Sequence, residues 1–139
     1  MARSRRHLII PDTQVKPGIP MKHFEWLGQA IKDYQPDRII HLGDHWDFES
    51  VSRHNSPKDK EGKRIIECAK AGNTALSIID EFSNSYRASS MHILRGNHEY
   101  RLTRYVDEHP ELEGVVGFDE LLMDKEYGWT PVEYSLYIS

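Results

Sequence analysis

The sequence predicts an α/β protein, a layered sheet with flanking helices, in a single domain spanning residues 1–139. Three observations predict it. Short β-rich runs alternate with stretches of helical periodicity, the order of a sheet whose parallel strands are joined by helical crossovers. The first three runs each stop at a proline or beside a glycine and are followed at once by carboxylate, amide or imidazole side chains. The length allows one modest hydrophobic core and not two.

In chain order, Leu8-Ile9-Ile10 is the first strand, closed by Pro11, which has no N–H to give a sheet ladder. Lys16-Pro17-Gly18-Ile19-Pro20 is a loop. Over residues 21–34, Phe24, Leu27, Ile31 and Tyr34 recur at three- and four-residue intervals, predicting an amphipathic helix that Pro36 ends. Residues 38–42 form the second strand, and strand, helix, strand implies a right-handed parallel crossover. Residues 47–64 are the longest polar stretch, a loop or short helical turns lying over the strand ends. Helical period returns over residues 65–82, with Ile65, Cys68, Ala69, Ala75, Leu76, Ile79 and Phe82 on one face. Gly72 inside it costs about 1 kcal/mol against alanine. Residues 91–94 are the third strand, 99–108 a helix stopped by Pro110, and 118–125 a short helix around Leu121 and Leu122, with Gly128 beyond it. Val132, Tyr134, Leu136 and Ile138 alternate over residues 130–138, predicting a fourth strand.

Composition narrows the function classes. No apolar run approaches the roughly 18 to 20 residues of a membrane span, and no signal-peptide core follows the N-terminal arginines, so a cytoplasmic protein without a membrane partner is expected. Cys68 is the only cysteine, which excludes an internal disulfide, and it reads as a small apolar filler. A net charge of −4, from 18 basic and 22 acidic residues, argues against a broad nucleic-acid footprint. Two basic clusters, Arg3/Arg5/Arg6 and Lys58/Lys60/Lys63/Arg64, read as solvated surface before they read as contacts to a phosphate backbone.

If the three strands lie parallel, Asp12, Gln14, Asp44, Asn97 and His98 converge on one rim. Carboxylates, amide carbonyls and imidazole suit Mn²⁺, Fe, Zn²⁺ or Mg²⁺, and an Asp between two cations can bridge them. Two ions about 3.5–4 Å apart would hold a phosphoryl group and activate water for in-line attack.

Asp12-Thr13-Gln14, Gly43-Asp44-His45-Trp46-Asp47 and Gly96-Asn97-His98-Glu99 resemble, in order, the first three motifs of the calcineurin-like metallophosphoesterases: D-x-H, G-D-x-x-D and G-N-H-[DE]. The Ile-Pro-Asp-Thr-Gln opening is similar to phage and bacterial members. The resemblance spans residues 8 to 99 and implies the N-terminal half of that family's β-sandwich. It implies a metal-dependent phosphoester hydrolase, a phosphatase or phosphodiesterase, with two divalent metal ions, manganese first among them. Asp12 would bind one metal, Asp44 would bridge both, and Asn97 would bind the second and touch the substrate phosphate. His98 would protonate the leaving oxygen, with Asp47 as its hydrogen-bonded partner. Gln14 stands where the family has His, and its amide oxygen is the weaker ligand. The family's later His and its final G-H-x-H have no counterpart, since no histidine follows His109. Most of the remaining histidines read as surface or core residues, with His45 and His54 the two alternatives for lining the site. Two rival readings are an inactive remnant acting as a binding module and a nuclease acting on nucleic-acid phosphodiesters. Exposed apolar surface on a halved sandwich also implies self-association.

Overall fold

The computed structural model describes residues 4–51 and 64–133. Among the described residues four strands form one sheet: β1 (His7–Ile10), β2 (Arg38–His41), β3 (Ser90–Leu94) and β4 (Thr130–Val132), in the order β1-β2-β3-β4. All neighbouring pairs are parallel. Between them lie α1 (Lys22–Tyr34), α2 (Ile65–Phe82), α3 (Asn97–Glu108) and α4 (Phe118–Leu121). The architecture is therefore α/β with a parallel sheet and flanking helices, as the alternation of patterns predicts.

Strand order equals chain order, so successive right-handed crossovers step in one direction and set α1 and α2 side by side on one face. The hydrophobic cluster draws Leu8, Ile10, Ile39, Met91 and Ile93 from the sheet, together with Phe24 and Ile31 of α1 and Cys68, Ala75, Leu76 and Ile79 of α2. Ile9, Ile40 and Leu94 alternate with these and stand outside that cluster, the period-two pattern of a sheet with one helix-covered face.

α2 keeps its predicted bounds, and Gly72 has a local reason. A Cβ there would fall within the indole ring of Trp46, whose Nε1 donates to Ala69 O at 3.1 Å. Backbone and indole meet where a side chain has no room.

Three expectations are corrected. The helix predicted over 99–108 starts at Asn97, because Gly96 is its N-cap and the Glu99 carboxylate reaches back to the Gly96 N–H at 2.9 Å. The helix predicted over 118–125 is two pieces, α4 and a 3₁₀ turn at Lys125–Tyr127. Asp124, between them, is drawn into a buried ion pair with Arg95 at 2.7 Å. Tyr34 and Phe82, predicted on apolar helix faces, are exposed, and Tyr34 carries the Arg6 guanidinium over its ring. In the polar stretch a 3₁₀ turn forms at Glu49–Val51. Residues 52–63, with His54, Lys58, Lys60 and Lys63, lie outside the described residues, as do Arg3 and residues 134–138 of the predicted fourth strand, of which the described part is Thr130–Val132. Among the described residues no helix is long and apolar enough to cross a membrane.

Candidate functional site

Parallel register brings three strand ends to one rim: Ile10 pairs with His41, and His41 with Ile93. The chain leaving each strand is then stitched to its neighbour. Gln14 N donates to Asp44 O at 2.8 Å, Val15 N to His45 O at 2.6 Å, and Asp47 N to Val15 O at 3.0 Å. From the other side His98 N donates to Asp44 Oδ1 at 2.8 Å. Asp44 thus sits between the 12–14 segment and the 96–98 segment, the middle place that strand order gives it.

The approach is close enough to require Gly96, since a Cβ there would run into the Asp44 carboxylate. Gln14 (φ 44°) and Asp44 (φ 53°) both adopt left-handed backbone conformations that L residues rarely take. Such strain persists where surrounding contacts over-determine it. Asp44 is held at its N–H, its C=O and its Oδ1.

Glu99 supplies the first of those restraints. It is wholly buried, with Oε1 accepting from Asp44 N (2.8 Å) and Gly96 N (2.9 Å) and Oε2 from Trp46 N (3.1 Å). Burial pushes its carboxyl up to about 7, and the Asp44 charge adds to this. The Gly96 and Asp44 amides and the Arg95 guanidinium oppose it.

His98 Nδ1 lies 2.8 Å from Asp47 Oδ1, an ion pair when the imidazole is protonated. Arg101 Nη1 donates to the Asp47 carbonyl at 2.9 Å and lies 3.8 Å from its Oδ2. Asp12, Gln14 and Asn97 are exposed, and among the described residues no hydrogen bond engages their side chains.

Behind the rim lies a buried polar chain. Thr13 Oγ1 is 3.0 Å from His41 Nε2 and 2.6 Å from His45 Nδ1. Gly43 N donates to His41 Nδ1 at 3.1 Å, and His45 Nε2 lies 2.9 Å from Gly72 O. Burial drives His41 well below the usual imidazole range, with His45 adding to the effect. Burial likewise lowers His45 to about 4, helped by Arg95 and opposed by the Gly72 carbonyl. His45 is therefore a core residue behind the rim rather than a group lining it.

The donor set decides which cation suits the rim. Among the described residues no group of three His, Cys, Asp or Glu side chains is placed to hold a metal ion. The candidate ligands are two carboxylates, Asp12 and Asp44, and two amides, Gln14 and Asn97. Oxygen donors of this kind suit hard ions that keep water in their shell, Mn²⁺ and Mg²⁺ before Zn²⁺. Unengaged side chains at Asp12, Gln14 and Asn97 fit that group.

Sequence reasoning missed Glu99, Thr13 and the His41–His45 pair. For Glu99 the signal was present, an acidic residue three places after a helix-capping glycine. Comparison of the chain with protein-family models, with curated proteins and with solved structures finds no match.

Proposed function

We propose that the chain is a metal-dependent phosphoester hydrolase with the N-terminal half of a metallophosphoesterase sandwich. The observation that carries the reading is Asp44, fixed between the Gln14 backbone and the His98 N–H with one carboxylate oxygen already held. A carboxylate so restrained between two strand ends is suited to bridge two cations. Asp12 and Gln14 would hold one ion and Asn97 the other, with Asp44 common to both. The ions would supply charge neutralisation of the phosphoryl group and activation of the attacking water. On the protein's side, Asn97 orients the phosphoryl oxygen, and His98 delivers a proton to the leaving oxygen. Asp47, 2.8 Å from His98 Nδ1, orients the imidazole for this step. Arg101 in turn fixes Asp47 through its main-chain carbonyl.

One observation favours the rival reading of an inactive binding module: the absence, among the described residues, of a closed His, Cys, Asp and Glu metal group. Turnover of nitrophenyl phosphate and bis-nitrophenyl phosphate with Mn²⁺ separates the two. Hydrolysis that His98→Asn abolishes supports the enzyme. Mn²⁺ binding with no turnover of monoester, diester or single-stranded DNA would leave the binding module.

A further inference from the structure

Resting on that metal reading, we propose that Thr13 is a positioning residue. Its hydroxyl joins two buried imidazoles and so fixes the Asp12-Thr13-Gln14 turn from which the ligands of the first metal project.

The direction of every bond in the chain is forced. The Gly43 N–H can only donate, so His41 Nδ1 accepts and carries no proton. A neutral His41 then bears its proton on Nε2 and donates it to Thr13 Oγ1. At the far end the Gly72 carbonyl can only accept, so His45 Nε2 is the donor, and a neutral His45 then accepts at Nδ1. Thr13 O–H must therefore donate to His45 Nδ1. The Gly43 end fixes the first two bonds and the Gly72 end the other two, and the four are mutually consistent, each with one donor and one acceptor.

The hydroxyl oxygen is the one atom in this chain that must accept and donate at once. Aspartate, asparagine and the aliphatic residues cannot do both from one atom. Its position is equally specific. Thr13 lies between Asp12 and Gln14, both exposed, and is itself only partly buried, so the turn has one side chain facing inward. His41 closes β2, His45 follows Asp44, and Gly72 belongs to α2. One oxygen thus ties the first candidate ligand pair to the end of β2, which Asp44 follows, and through His45 to α2. Among the described residues, Gln14, left-handed at φ 44°, has only its N–H bond to Asp44 as a restraint from its own backbone. Without the Thr13 anchor the strained turn can relax, and its ligands with it. Outer residues that orient metal ligands typically change affinity about 10- to 100-fold when removed.

The test compares Thr13→Val, which keeps shape and loses the hydroxyl, with Thr13→Ser, which keeps it. Mn²⁺ affinity is read by calorimetry on the metal-free proteins, and imidazole tautomers by long-range ¹⁵N NMR without metal. The expected result is Nε2–H tautomers for both His41 and His45 in the wild type. Mn²⁺ affinity should fall at least about tenfold in Thr13→Val and stay within about twofold in Thr13→Ser. Equal affinity in Thr13→Val, or an Nδ1–H tautomer at either histidine, overturns the positioning role while the metal reading stands. A wild type that takes up no Mn²⁺ overturns both. Should Thr13→Val fail to fold, Thr13→Cys, with its weaker donor and acceptor, replaces it and is expected to bind Mn²⁺ between the other two; wild-type affinity there overturns the role.

Discussion

Asp44 occupies a backbone conformation that asparagine tolerates as readily as aspartate, so Asp44→Asn removes charge without removing the turn. That makes it a clean variant. It should keep its fold and weaken Mn²⁺ binding more than Asp12→Asn or Asn97→Ala does, because Asp44 would serve both ions. Calorimetric titration of the three variants checks this, and equal losses would sink the bridging role. His98 contributes a proton rather than a ligand in the proposed chemistry. His98→Asn should slow hydrolysis by roughly 10² to 10⁴ while Mn²⁺ still binds, the usual worth of acid catalysis. Asp47→Asn should cost less, since it removes the charge beside Nδ1 and leaves the imidazole in place. A His98→Asn enzyme at full rate would remove His98 from the mechanism.

At the level of elements, the contact between Gly72 of α2 and Trp46 sets how closely the helix approaches the loop after β2. Gly72→Ala gains helix propensity of about 1 kcal/mol but drives a methyl into the indole. Overpacking of a filled core costs about 1–3 kcal/mol, so the net effect should be destabilising, read as a lower urea midpoint. A more stable variant would show that the helix can shift away at no cost. Propensity alone predicts the opposite sign, which illustrates what a sequence can and cannot show. Periodicity placed the strands and the two long helices, because apolar spacing is a local property. The rim was legible for a related reason: three chemical groups each follow directly on a strand, and parallel strands must end together. The interior of the site was not. Whether His41 is a surface residue or a buried one depends on a hydroxyl 28 positions away, and His45 on the same oxygen from 32 away. Glu99 accepts from two amides of the loop after β2 as well as from its own N-cap, and of these only the capping pattern leaves a mark in the sequence. The break between α4 and the following turn came from the Arg95–Asp124 pair, a partnership across 29 residues.

For the whole molecule, the buried titratable groups set how stability responds to pH. His45 is lowered to about 4 and His41 well below its usual value, so in mild acid the unfolded chain binds more protons at these sites than the folded one. Their contribution is present above the ordinary imidazole pKa and is lost as pH falls toward the folded values. Glu99 works the other way. Raised from 4.5 to about 7, it binds its proton in the folded state first, and so favours folding as pH falls through that interval. Two imidazoles outweigh one carboxyl, so urea unfolding should show stability falling from about pH 6.5 to about pH 5. Glu99→Gln removes the opposing proton and should steepen that fall; a shallower profile would show Glu99 ionised throughout. The sheet face away from α1 and α2 governs a second global property. Ile9 and Leu42 are 46% and 47% exposed, and among the described residues β1 is an edge strand. An open edge beside exposed apolar side chains favours association of chains. We expect the 139-residue chain to self-associate in a concentration-dependent way, and the Ile9→Lys, Leu42→Lys double variant to shift it toward monomer by placing charge on that face. Light scattering across a dilution series measures both. A wild type that stays monomeric at high concentration, or a double variant that associates as strongly, would show that this face does not drive assembly.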